Sequence, residues 1–167
     1  MKKIMVALMV IFFYALPAVA QDSLEMTETY FSKGDFKKSA DSAEKVLKEN
    51  PGNIKAGIIL AESLSELKKF SKAISVYKDL ITREPDNMEL IYRLGVVLEK
   101  AEYIANAIAA YKQVIEKKPG HAPAHYRLGL CYARSMDLSE AYAEFRILKK
   151  LDNKLANELL PYIQSNK

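Results

Sequence analysis

Cysteine is nearly missing from this chain of 167 residues, and tryptophan is missing altogether. The single thiol, Cys131, cannot close an internal disulfide, so the fold must hold itself together by packing. There is no CxxC redox pair, no Gly-rich phosphate loop and no Ser-His-Asp set, which removes the common catalytic signatures. Glycine and proline are scarce, six of each, while Ala, Leu, Lys and Glu abound, a balance that favours helices. No run of Lys and Arg is long enough to track a phosphate backbone, so nucleic acid is not an expected partner. Half of the residues are hydrophobic and 28% are charged, which suits one packed domain and excludes a disordered chain.

The first segment, 1–20, reads as an address. Met1-Lys2-Lys3 is a short basic start, Ile4 to Leu16 is an unbroken apolar run, Pro17 breaks it, and Ala18-Val19-Ala20 supplies a small-x-small cleavage site before Gln21. That three-part layout is a secretory signal peptide, and the run is short of the ~20 apolar residues of a permanent span. The expectation is an exported, periplasmic protein cut after Ala20, with no stable membrane insertion afterwards. Secretion and an uncleaved anchor are the alternatives. Cleavage would remove Lys2 and Lys3 and no acid, so the formal charge of +4 falls by two.

The rest of the chain repeats itself. Pro51, Pro85 and Pro119 are evenly spaced, at the period of about 34 residues that a paired-helix repeat unit takes. The same step aligns Ala73, Ala107 and Ala141 with Ser39, and Tyr77, Tyr111 and Phe145 with Ala43. It aligns Phe36, Phe70, Ile104 and Leu138, and it aligns Leu60, Leu94 and Leu128 with Met26. The small residues Ala61, Gly95 and Gly129 fall together, with Thr27 in the first copy. Four units follow without insertion or deletion, 20–53, 54–87, 88–121 and 122–155, each with a helix A and a helix B whose apolar residues recur every three or four. Asn53 and Asn87 stand where helix A needs a cap, Asp35 and Asp137 where helix B begins. Leu155, Leu159 and Leu160 predict one apolar side on a capping helix over about 153–164, which Pro161 is expected to end or kink.

This period and spacing resemble the tetratricopeptide repeat family over essentially the whole chain after Ala20. The resemblance implies an all-α, right-handed superhelical solenoid of four helix-turn-helix repeats with a C-terminal capping helix, forming one domain over 21–167. It also implies that helix A residues line a partner groove. Carried over, the groove positions are Leu24, Glu28 and Phe31, then Ile58, Glu62 and Ser65, then Tyr92, Val96 and Glu99, then Tyr126, Leu130 and Ala133. Arg93 and Arg127 stand at a matching neighbouring position and Arg134 further along, as charges on the sides of the groove. The family's carboxylate clamp for chaperone tails is not expected, because Ile58, Glu62 and Pro123 occupy three of its places.

Few residues offer other chemistry. His121 and His125 are four apart, but Pro123 lies between them and no further ligand is evident, so structural histidines are expected and no metal site or cofactor. Cys131 sits at a small inward position and is expected to be a buried apolar residue, not a nucleophile. The function that follows is a non-catalytic adaptor of the cell envelope, holding a protein or peptide partner. The alternatives are a self-associating structural protein, hence a homo-oligomer, and a non-catalytic subunit of an envelope enzyme.

Overall fold

The computed structural model describes residues 23–165, so the export segment 1–20 lies outside the described residues. Every regular element among them is a helix. Helix α1 covers 23–32, and α2 (Phe36–Glu49), α3 (Ile54–Glu66), α4 (Phe70–Arg83), α5 (Met88–Lys100), α6 (Ile104–Lys117), α7 (Ala122–Arg134), α8 (Leu138–Leu151) and α9 (Asn153–Gln164) follow. Helices α3, α5 and α7 start one repeat apart, at Ile54, Met88 and Ala122. Helices α2, α4, α6 and α8 keep the same period, from Phe36, Phe70, Ile104 and Leu138.

The starts are set by side chains that satisfy the first free N–H groups. Asn53 accepts from the Ala56 N–H at 3.0 Å and Asn87 from the Glu89 N–H at 3.2 Å. Asp35 and Asp137 do the same for α2 and α8. His121 occupies the register of the two asparagines, and its Nδ1 accepts from the Ala124 N–H at 3.1 Å. His121 is thus the N-cap of α7.

The A-type helices end alike. Gly34, Lys68, Glu102 and Met136 share one repeat register and hold φ values of 74°, 58°, 64° and 62°. After α3, Lys68 N–H donates to the Ser65 carbonyl and Lys69 N–H to the Leu64 carbonyl, the paired bonds of a left-handed C-cap. Only Gly34 meets that φ without steric cost. The other three side chains cost roughly 1–2 kcal/mol each by the usual penalty for this region. Pro51, Pro85 and Pro119 punctuate the B-type ends, because proline forces the residue before it out of the helical region; Asn50 and Lys118 both sit at φ −133°.

The chain forms two compact units, one up to Lys69 and one from Phe70 onward. In the first, α2 packs on α3, and the interior mixes Ala43, Val46, Ala56 and Ala61 with buried hydroxyls at Thr27, Ser39 and Ser63. In the second, α5 packs on α6, α7 on α8, and α9 on both α7 and α8. Its main core joins Tyr111, Leu128, Cys131, Tyr132 and Leu148 to Leu159 and Ile163 of α9. The buried stripe of α9 is Ala156, Leu159 and Ile163, while Leu155 and Leu160 are half-buried. This shifts the expected Leu155–Leu159–Leu160 side by a fraction of a turn. Helix α9 also runs through Pro161 to Gln164 instead of ending there. The buried Ile163 beyond it anchors the last turn, at the expense of one backbone hydrogen bond.

Candidate functional site

Glycine decides how closely α5 approaches α6. A Cβ built on Gly95 would stand 2.6 Å from Cε1 of Tyr111, so the ring lies directly on the helix backbone. At Gly129 of α7 the obstacle is Leu159 of α9, at 2.5 Å, with Cβ of Glu144 at 3.3 Å. The close approach lets Tyr111, fully buried, lie along α5 and donate its hydroxyl to Oε2 of Glu99 near the end of that helix, at 3.0 Å. Burial, reinforced by the Glu99 carboxylate, holds the Tyr111 phenol far above its usual range, so it remains a donor.

Glu99 is a hub. Nη1 of Arg127 lies 3.4 Å from each carboxylate oxygen, and Nη1 of Arg134 lies 3.9 Å from Oε1. Arg134 also pairs with Glu102. Burial works against the Arg127 charge, but Glu99 and the neighbouring tyrosines Tyr111 and Tyr92 hold its pKa above the ordinary value. Arg93 is paired with Glu89 one turn back, Nε to Oε1 at 2.7 Å. Each of the three arginines is thus already engaged by a carboxylate of the second unit.

Around this hub stand the apolar candidates. Tyr92 and Val96 of α5 and Tyr126 and Leu130 of α7 are half-buried against one core. Tyr92 packs on Tyr111 with ring centroids 5.9 Å apart and on His121 at 5.1 Å. The Tyr126 phenol is raised by burial and then by Tyr162 and Glu158 of α9, the helix that packs on α7. The structure thus brings Tyr92, Arg93, Val96, Tyr126, Arg127, Leu130 and Arg134 onto two neighbouring helices. Leu24, Phe31 and Ile58 belong to the first unit and are half-buried there. Phe31 is engaged edge-on by Phe36, with centroids 5.6 Å apart.

His125 and Glu144 were not foreseen as a pair. His125 is buried, with Nδ1 2.6 Å from Oε2 of Glu144 and Nε2 2.9 Å from the Pro119 carbonyl oxygen. Each ring nitrogen faces an oxygen, so two hydrogen bonds need a proton on each line. The ring ties α7 to α8 and to the turn before α7. One signal was available in the sequence. The same registers carry Ile91 and Ala110 one repeat earlier, and those two share an apolar cluster, so both departures fall in the same copy at the same contact.

Cys131 is fully buried, and burial pushes its thiol up to about 12, as expected of a packed residue and not of a nucleophile. Among the described residues no three His, Cys, Asp or Glu side chains stand where they could share a metal ion. No helix among them is long and apolar enough to cross a membrane.

Two family models, each described as tetratricopeptide repeat, match residues 30–95 and 92–156. Among solved structures, a tetratricopeptide repeat protein from Parabacteroides merdae superposes with a TM-score of 0.77 at 16% identity, covering 88% of this chain and 59% of that one. This chain thus spans less than two thirds of that protein. MamA 41-end from Desulfovibrio magneticus RS-1 gives 0.73 at 17% identity, covering 88% and 94%. A MamA RS-1 double mutant gives 0.73 at 21% identity, covering 81% and 76%. At these identities the likeness speaks for the fold alone. No curated protein matches the sequence.

Proposed function

Because the chain belongs to the tetratricopeptide repeat family, we propose that it is a non-catalytic protein-interaction adaptor of the cell envelope. Its partner docks a helix or extended segment on the wall formed by α5 and α7. The observation that carries this reading is the set Tyr92, Val96, Tyr126 and Leu130, half-buried side by side on one core. Beside them Arg127 and Arg134 are held in place by Glu99. Binding energy concentrates in aromatic anchors whose rotamers are already fixed. Tyr92 is fixed by Tyr111 and His121, so little side-chain entropy remains to be lost on docking.

A partner carboxylate competes with Glu99 for Arg127, which favours a mainly apolar segment here over a strongly acidic one. Export rests on the Lys2-Lys3 start, the apolar run and the Ala18-Val19-Ala20 site. The double variant Tyr92→Ala/Tyr126→Ala should keep its helical signal and lose partner capture by on the order of ten-fold or more. Equal capture by the folded double variant would move the site off α5 and α7. Intact mass of the protein from cells should correspond to a start at Gln21; a retained Met1–Ala20 segment would overturn the export reading.

A further inference from the structure

A second group of positive charge in the second unit, Arg146, Lys149 and Lys150, lies on α8, beside exposed apolar side chains. Ile147 and Leu151 are large apolar side chains left 38% and 43% exposed. They line a recess of about 660 Å³ with Pro119, Ala143, Arg146, Lys149 and Lys150. Three of those seven side chains are cationic and none is acidic. Arg93, Arg127 and Arg134 are each paired. Among the ion pairs of the described residues, none includes Arg146, Lys149 or Lys150.

The recess is also built. One wall is Pro119 and the other is α8, and His125 holds both, through the Pro119 carbonyl at 2.9 Å and Glu144 at 2.6 Å. Ala143, Ile147 and Leu151 follow each other at steps of four along α8, and Ala143, Arg146 and Lys150 at steps of three and four. The result is an apolar stripe with a cationic stripe beside it.

We propose that this face of α8 is a second docking surface, and that its occupant is an acidic amphipathic helix of a partner protein. Apolar side chains enter the recess and carboxylates meet Arg146, Lys149 and Lys150. Charge complementarity sets the sign of the partner, with three cationic side chains and no acidic one around the recess. The adaptor then joins two partners of different character, an apolar segment on α5 and α7 and an acidic one on α8.

The test uses the full chain and two synthetic helical peptides that share leucines at steps of three and four, one flanked by Glu and one by Lys. Anisotropy titrations should give binding of the Glu peptide that weakens as salt rises, and at least ten-fold weaker binding of the Lys peptide. Lys149→Glu/Lys150→Glu should weaken the Glu peptide ten-fold or more and flatten the salt dependence. Ile147→Ser/Leu151→Ser should weaken it at any salt. All four positions are exposed, so circular dichroism should be unchanged. Tyr92→Ala/Tyr126→Ala should leave this binding as it is, which separates it from the site on α5 and α7. Equal binding of the two peptides, or no binding of the Glu peptide, would overturn the proposal. So would attachment to phosphatidylglycerol vesicles that Lys149→Glu/Lys150→Glu abolishes while the Glu peptide fails to bind.

Discussion

The two units share one repeat register and fill it with different chemistry. In the first unit a chain of hydroxyls links α1, α2 and α3. Thr27 shares a hydrogen bond of 2.7 Å with Ser42, Ser39 donates to the Thr27 carbonyl at 3.3 Å, and Ser63 donates to Ser39 at 2.9 Å. In the second unit the register of Thr27 holds Gly95 and Gly129, against a Tyr111 ring and a Leu159 side chain. The register of Tyr111 holds only Ala43 in the first copy. A larger helix A residue thus goes with a smaller helix B residue, and the reverse. The consequences differ, since small polar pairs contribute about 1 kcal/mol each and ring-on-glycine packing tolerates no added carbon.

The largest expected effect falls on the polar pair of the fourth repeat. His125→Ala leaves the Glu144 carboxylate buried without its partner and should cost about 3 kcal/mol or more, read as a shifted denaturant midpoint. The double variant His125→Ile/Glu144→Ala restores the pair found one repeat earlier and should recover most of that loss. Failure to recover would mean that the tie to Pro119 matters more than the buried charge. Next comes Gly95→Ala, whose new methyl meets Tyr111 and should cost about 1–3 kcal/mol. Hydrogen exchange should place that loss within α5 and α6.

How much of this was legible beforehand depends on what each position answers to. The repeat period, the helix pairs and the Asn and Asp caps were readable, because each rests on local pattern. Cys131 was readable from its inward register. The role of Glu99 was not, since it depends on Tyr111, Arg127 and Arg134 arriving at one carboxylate from other helices. The carboxylate partners of the arginines were hidden for the same reason: a sequence shows charge but not its partner. The left-handed turn was hidden because only Gly34 of its four occupants advertises the conformation.

Smaller effects sharpen the contrast between the units. Ser39→Ala removes the acceptor of Ser63 and should cost about 1 kcal/mol, far less than Gly95→Leu, which drives a full side chain into Tyr111. Equal losses would mean that the two contacts are not different in kind. The left-handed turn is common to both units, so Lys68→Gly and Met136→Gly should each stabilise slightly, by up to about 1 kcal/mol. A gain in one unit and a loss in the other would break the shared-turn reading.

The central claim, that α5 and α7 carry the partner, is tested most directly by a photo-reactive residue placed in turn at Val96, Leu130 and Ala105 in intact cells. The first two lie on the wall, whereas Ala105 is exposed on α6. The account predicts one shared adduct of the same mass at Val96 and Leu130 and none at Ala105, lost when Tyr92→Ala/Tyr126→Ala is added. The same adduct at Ala105, or its persistence in the double variant, would contradict it.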